Sequence, residues 1–517
     1  MPSEMDHGRA RIFRTAEQSA NSNMRWFALG SLPLLVSAAI LIPCAASATV
    51  FVVTSCIGAS VGLWGLYHLL KHPTLVRFSN VLSVSLLLGY GLGTAIRALT
   101  ALISAGRFDP TDSPFGFSYR QADISYSLVF VALASALLLT VGVIEKPAFP
   151  TRALRNPPSP RPKVLLLALA ALVAAAYALG ELGYMGTTVS LTRNITPLGA
   201  LSGFVAPVLL PLTVLCLTQE RSRVWRAILV VLLCASALAL IPLGRRVLLY
   251  SIVLALFAFG ISGKRLPIRR SHRWLLIGIG VPFLIGFTSL GFYAFFALRL
   301  TEDALGPGYS FPQRVTYAVR VLAYGATRVA PEFGENVGSR PFILSYLADL
   351  YAAQNDHSPL WGQEAAFAVQ NAVPSILFPN KAALLPAAPE EFAHPALGMP
   401  TFDGANTIVT AGLDDFGAAG TLAYPLALVL LCVFIRRVIA GRLPPFIYDF
   451  VIFRMLYQLL YVEQGLDGMV TVAFRDLILA TLLLFLLWKL FGLRLSPQPM
   501  PHSQLQAGAY GNSRSIA

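Results

Sequence analysis

Charge is what this chain has least of. Asp, Glu, Lys and Arg make up only 12% of its 517 residues, about half their share in soluble globular domains. The hydrophobic fraction is 56% and mean hydropathy is +0.66, which excludes a soluble globular protein and indicates an integral membrane one. Acids are scarcer than bases, leaving a formal charge of +14. In a soluble chain that excess suggests nucleic acid, but here the bases occupy short loops between apolar runs, where they fix membrane orientation. No nucleic-acid partner is expected. Cysteine is also scarce: Cys44, Cys56, Cys216, Cys234 and Cys432 all fall in or beside apolar segments, and none forms a C-x-x-C pair. That pattern speaks against a disulfide frame or a zinc site. The seven histidines lack H-E-x-x-H or any ligand-like spacing, so neither a metal nor a cofactor is expected. There is no internal repeat either.

What the chain has is apolar runs. A helix needs about 20 apolar residues to cross the hydrocarbon core. By that measure the fold class is all-α: a polytopic membrane protein with about twelve spans, near 26–44, 49–70, 80–103, 125–144, 164–184, 198–218, 227–243, 246–262, 274–297, 417–435, 446–463 and 470–490. The first run follows basic residues ending at Arg25 and precedes Ala45-Ala-Ser-Ala48, as in a secretory signal. It is long enough to span and a second run follows at once, so a retained helix is expected. Leu41-Ile-Pro-Cys44 resembles a lipoprotein box, but proline before the cysteine fits poorly.

Assigning loops alternately to two sides places 25 basic residues on one side, including Arg25, Lys71, Arg77, Lys146, Lys163 and Arg436. The short loops of the other side hold only Arg107, Arg120, Arg193, Arg245 and Arg246. The positive-inside bias then makes both termini cytoplasmic. The organisation expected is a cytoplasmic segment 1–25, nine helices in 26–297, a large external loop 298–416, three helices in 417–490 and a disordered tail 491–517. Between Thr301 and Asp415 the loop has five basic residues against twelve acidic ones, the reverse of the cytoplasmic loops.

The joint Ile241-Pro-Leu-Gly-Arg-Arg246 puts two arginines at an external mouth, where positive charge is uncommon. Snorkelling into headgroups explains one of them. An anionic ligand explains the other, because a guanidinium keeps its charge and engages two phosphate oxygens at once. In the loop, Tyr317 to Val329 reads as an amphipathic helix with Arg320 and Arg328 on roughly one side; a solvated arginine face is the alternative. Arg97, Arg454 and Arg475 fall within apolar spans, where a charge usually faces protein or water. Arg454 has Asp449 on its own helix as a candidate structural partner, and Arg475 is followed by Asp476. Candidates for a general base are Asp414 and Asp415, then Glu463, Asp467 and His357, against the alternative that such acids are solvated surface, as Glu390-Glu391 suggests. The sequon at Asn194 reads as chance.

Three motifs resemble bacterial oligosaccharide repeat-unit polymerases of the Wzy type: Gly244-Arg245-Arg246 before the run Val247 to Val253, Pro374-Ser-Ile-Leu-Phe-Pro-Asn-Lys381 inside the loop, and Asn406 to Gly417 with Gly420 leading into the next helix. The resemblance covers roughly residues 227 to 480. Where many members carry a glutamate ahead of the Phe-Gly step, Thr410, Ala411 and Gly412 stand here. The resemblance implies a GT-C-like architecture and a metal-independent glycosyltransferase at the periplasmic face of the bacterial inner membrane. Its partners would be polyprenyl-diphosphate-linked oligosaccharides and membrane lipids, with a chain-length regulator and a flippase nearby. Arg245, Arg246, Arg320, Arg328 and Arg475 would bind diphosphate, with Arg245 and Arg246 also stabilising the leaving group, and Asp414 or Asp415 would be the base. A glycan ligase and a flippase or transporter are the alternatives.

Overall fold

The computed structural model describes residues 29 to 495, apart from 107, 112–117, 150–159, 183–195, 263–285, most of 286–310, 325–341, 375–376 and 402–405. All regular secondary structure among these residues is helical. Eight helices are long and apolar enough to cross a membrane: α2 (Ala48–Lys71), α3 (Phe78–Ile103), α4 (Gln121–Ile144), α5 (Arg161–Ala178), α6 (Pro197–Gln219), α7 (Arg223–Leu243), and two near the C-terminus, Ile408–Arg442 and Leu466–Leu490. The chain is thus an α-helical membrane protein, and each of these eight overlaps an expected span.

Three further expected spans form shorter helices. Residues 29–41 make α1 (Leu29–Leu41), which begins where the description begins. Arg245–Ile261 is α8, at 17 residues. Pro445–Leu460, at 16 residues, rises only about 24 Å, and from Asp449 to Leu460 every residue is buried. It is a central strut wrapped by other helices. The expected span 274–297 lies largely outside the described residues, as does the tail from 496.

Within 298–416 the described helices are α9 (Phe311–Tyr324), α10 (Phe342–Ala353), α11 (Gln363–Ala372) and α12 (Glu390–Ala396). The C-terminal part is α13 (Ile408–Val438), α14 (Pro445–Leu460) and α15 (Leu466–Leu490). Helix α10 packs on α4, α11 on the start of α15, and α13 on α3 and α4. One apolar core runs through the bundle and takes in α10 and part of α12 to α13, so this long insertion is built into the helical body.

The two ends of the bundle differ. At one end, Arg436 donates to the carbonyls of Lys146 (2.6 Å) and Pro147 (3.0 Å), and Arg77 donates to those of Gly142 and Val143. There Glu145 accepts the backbone N–H groups of Phe78 and Ser79, both at 3.0 Å, closing the N-terminus of α3. Lys163 pairs with Glu220 and lies over the Trp225 ring. Arg77, Lys146, Lys163 and Arg436 are bases that loop alternation assigned to one side. The opposite end carries the start of α8, the helices of the insertion and the turn between α14 and α15.

Three helices are interrupted, α3 by a π-type segment at Leu87–Leu92. In α13, Phe416 (φ −137°) and Gly417 (φ +62°, ψ −151°) break the ladder. Gly412 and Gly420 touch backbone to backbone across this break, with no room for a Cβ on either. Eight residues apart in a straight helix they would be about 12 Å from each other, so Ile408–Asp415 folds back along the start of the span that follows. In α15, Val472–Asp476 forms a π-type turn, a feature frequent at functional sites.

Candidate functional site

Arg246 stands where the local chain geometry is demanding. Ile241–Leu243 makes a single tight turn with Pro242 at its start, and Gly244 follows with φ +118°, a conformation that disfavours any side chain. Helix α8 starts immediately, with no acid in its first turn. Two arginines there oppose the helix dipole, which favours negative charge at an N-terminus. Compensation comes from across the bundle: Arg246 forms an ion pair with Glu463, in the turn after α14, and its guanidinium lies 6.0 Å from the Tyr461 ring centre. Tyr250 and Tyr457 complete an aromatic wall, with Tyr250 centred 5.9 Å from Tyr461 and 6.2 Å from Tyr457. Arg245 opens the helix beside Arg246; its side chain lies outside the described residues.

Asp414 and Asp415 end the folded-back helix Ile408–Asp415. They sit in no solvated loop: their relative exposures are 1% and 0%. Negative charge at a helix C-terminus is unfavourable, so each acid needs a specific neighbour. Asp415 has a structural set. It accepts the backbone N–H groups of Glu364 (2.9 Å) and Ala365 (3.0 Å) and the Tyr424 hydroxyl (2.5 Å), capping the exposed start of α11 from fifty residues away. The backbone carbonyls of Asp414 and Asp415 also receive the N–H groups of Leu360 and Trp361, each at 2.8 Å.

Asp414 differs. Its carboxyl group is hydrogen-bonded to that of Glu364, and its Oδ1 has no partner among the described residues. Burial first, then the Asp414 and Asp415 charges, pushes the Glu364 carboxyl well above the usual carboxylate range. Glu364 therefore holds a proton and donates it toward Asp414. A proton-sharing pair of this kind gives one carboxyl able to accept a proton next to one able to return it.

A second polar group lies beside them. The Tyr346 hydroxyl is 2.8 Å from His394 Nε2 and 3.3 Å from Asn406 Oδ1, while Asn406 Nδ2 donates to Glu390 at 2.5 Å. His394 Nδ1 faces the Pro400 carbonyl at 3.1 Å, so Nδ1 carries the hydrogen and Nε2 accepts from Tyr346. Burial pulls His394 below its ordinary value, against the Pro400 carbonyl, which raises it. The chain continues from Asn406 to Thr407, whose hydroxyl meets that of Tyr90 at 2.6 Å, and Tyr90 in turn feels the Glu463 charge. The arginine mouth and the acid pair are thus at one end of the bundle, where the start of α13 meets Tyr90 of α3.

Arg475 lies in the π-type turn of α15, with Nε 2.7 Å from Asp476. It is near Lys381, whose pKa is lowered by burial and then by the Arg475 charge. Lys381 donates to the carbonyls of Asn371 and Val373, closing the C-terminal end of α11, and Asn371 reaches Asp467 at 3.4 Å. The lysine of the Pro374 to Lys381 motif therefore pins the helix that carries Glu364. Arg320 is exposed on α9; Arg328 and the sequon at Asn194 lie outside the described residues. His357 is exposed, with Nδ1 at 3.1 Å from the Ala353 carbonyl. Arg454 is not paired with Asp449: its guanidinium lies 4.4 Å from the Phe204 ring centre and 4.8 Å from that of Tyr457. Four or five residues of helix separate the two side chains, and packing turns Arg454 toward the aromatic rings instead.

No family model matches the chain, and neither does any curated protein or solved structure. Among the described residues no group of three or more His, Cys, Asp or Glu is arranged to hold a metal ion. Five cysteines are free thiols. Sequence reasoning missed Glu364, Tyr346 and His394. Glu364 left one faint signal: it is the one charged residue of α11, in its first turn.

Proposed function

We propose that the chain is a polymerase that joins polyprenyl-diphosphate-linked oligosaccharide repeat units at the periplasmic face of a bacterial inner membrane. The observation that carries this reading is the placement of Arg246, paired with Glu463 at the same end of the bundle as the buried Asp414–Glu364 pair. The reaction needs both. A hydroxyl of the acceptor sugar attacks the anomeric carbon of the donor glycan, the bond from that carbon to the diphosphate oxygen breaks, and polyprenyl diphosphate leaves. Negative charge grows on phosphate oxygens at the membrane surface, where a preorganised guanidinium stabilises it in the transition state. Exchange of Glu463 for diphosphate would free the planar donors of Arg246 without moving the helix.

The proton lost by the acceptor hydroxyl goes to Asp414, with Glu364 holding the shared proton beside it. Asp414 is almost fully buried, so the acceptor must enter beside Leu360 and Trp361, which are hydrogen-bonded to the Asp414 and Asp415 carbonyls. Arg475 extends the positive surface for the two lipid diphosphates, and Arg245, Arg320 and Arg328 belong to the same proposal on sequence grounds.

Glycan length in cells tests this reading. Deleting the gene is expected to leave single repeats attached to the final acceptor, and Arg246→Lys, which keeps charge but loses the planar fork, is expected to do the same at normal protein level. Long chains that accumulate unattached would mean a ligase instead.

A further inference from the structure

Trp361 is unusual in three independent ways. It is the only non-glycine residue among those described with a positive φ, +54°, a conformation that is an outlier for a bulky side chain and costs of the order of 1–3 kcal/mol. It is also 73% exposed, although a tryptophan ordinarily buries most of its surface. Finally, it is anchored to the acid pair, because its N–H donates to the Asp415 carbonyl at 2.8 Å while its neighbour Leu360 donates to that of Asp414. The backbone is held in an unfavourable conformation that presents an indole ring to solvent, one residue from the Leu360 N–H that bonds the carbonyl of the candidate base.

The ring does not stand alone. Phe416, 42% exposed, meets it edge to face with centroids 6.4 Å apart, and the far side of Phe416 contacts Tyr424 in the same way at 5.9 Å. Gly362, at φ +89°, leaves the space that the Phe416 ring occupies, since a Cβ there would lie 3.4 Å from Cζ. Tyr424 is hydrogen-bonded to Asp415, so the aromatic row is fixed to the same carboxylate that caps α11. The exposed residues that flank Trp361 in the chain are polar: Asn355, Asp356, His357, Ser358 and Gln363, with the apolar Ala366 and Val369 exposed further along α11. A ring flanked by hydroxyl, amide and imidazole groups suits a ligand that is apolar on its faces and polar at its rim.

A pyranose ring has that character: C–H groups on its faces and hydroxyls around its edge. We propose that Trp361, backed by Phe416, is a stacking platform for a sugar ring of the saccharide substrate, placing a hydroxyl of that sugar near Asp414. The identity of the ligand as a saccharide rests on the reading given under Proposed function; the platform itself rests on the strained, exposed indole.

The test uses the full chain in nanodiscs, titrated with the oligosaccharides that mild acid releases from the lipid-linked pool of cells lacking this protein. Tryptophan emission of the wild-type chain is expected to change saturably, and Trp361→Phe, which removes the reporter while keeping a ring, is expected to abolish that change. In chain extension, Trp361→Ala is expected to raise the half-saturating concentration of lipid-linked acceptor about tenfold, equivalent to about 1.4 kcal/mol, whereas Trp361→Phe stays within a few-fold of wild type. No Trp361-dependent emission change, or quenching of Trp361 by brominated phosphatidylcholine in the nanodisc, overturns the platform. If extension proceeds but Trp361→Ala leaves it unaltered, the platform fails and the polymerase reading survives. If the oligosaccharides bind at Trp361 and no chain grows, the platform stands and the polymerase reading fails.

Discussion

Each of the three central side chains has a role separable by substitution. Arg246 is ion-paired, so Arg246→Ala removes a proposed leaving-group donor and also breaks the pair with Glu463. Loss of one preorganised donor typically costs about 10²–10³ in turnover, and a loss of that order is expected in reconstituted extension, with Arg246→Lys close to it. Asp414 and Asp415 are adjacent in sequence but differ in partners. Asp415→Asn keeps an oxygen for one of the two α11 N–H groups and is expected to retain most activity, while Asp415→Ala loses the cap and about 1–2 kcal/mol of stability. Asp414→Asn, which cannot take up a proton, is expected to abolish extension with a smaller effect on thermal unfolding. Measuring turnover and melting for both sites separates the two roles, and equal loss of turnover in both asparagine variants would contradict the assignment.

Glu364 adds a pH dependence whose sign follows from its raised pKa. An acid that binds its proton more tightly when folded contributes nothing adverse below its unfolded pKa of about 4.3, and stability falls as pH rises from there toward the folded value. Glu364→Gln keeps a donor toward Asp414 and carries no charge. The variant is expected to flatten the decline of melting temperature with pH above about 4.3; a slope equal to wild type would show that Glu364 is not the group responsible. Glu364 itself was not legible in the chain, because it meets Asp414 fifty residues away and only tertiary packing brings α11 onto the end of Ile408–Asp415.

At the level of elements, the folded-back turn in α13 depends on two glycines in backbone contact. Gly412→Ala or Gly420→Ala inserts a methyl group where there is backbone, and a cost near the upper end of the roughly 1–3 kcal/mol known for overpacking is expected. Gly203→Ala is the matched control. Its Cβ would meet only the Leu182 side chain at an ordinary 3.6 Å, and alanine favours the helix. Thermal unfolding in detergent should distinguish the pair from the control. This turn explains the helix that sequence reading missed just ahead of the span begun at 417. Phe416-Gly417 marks the entry to the span, but Ile408–Asp415 ends in two acids and reads as loop. Its burial is possible only because capping and proton sharing neutralise those acids. The apolar runs themselves were legible, since spans long enough to cross a bilayer leave a signal that local sequence alone carries. Shorter helices such as Pro445–Leu460 were overextended, because a strut buried in protein is as apolar as one facing lipid.

For the whole molecule, the segregation of charge is the feature that sequence and structure share. Arg77, Lys146, Lys163 and Arg436, assigned to one side by loop alternation, gather at one end in contact with Glu145, Glu220 and backbone carbonyls. The opposite end holds the acid pair and Arg246, held by Glu463. The grouping of these bases at one end was legible because loop charge alternates along the chain; the candidate site was only half legible, because its partners come from α11, α13 and the turn after α14. The proposed polymerase would need no transmembrane gradient, since the energy of the glycosyl–diphosphate bond would drive transfer. The most direct measurement is therefore to reconstitute the purified chain with polyprenyl-diphosphate-linked repeat units and no other energy source, and to follow glycan length. The account predicts a ladder of longer chains that disappears in Arg246→Lys and Asp414→Asn; single repeats that merely change leaflet would contradict it.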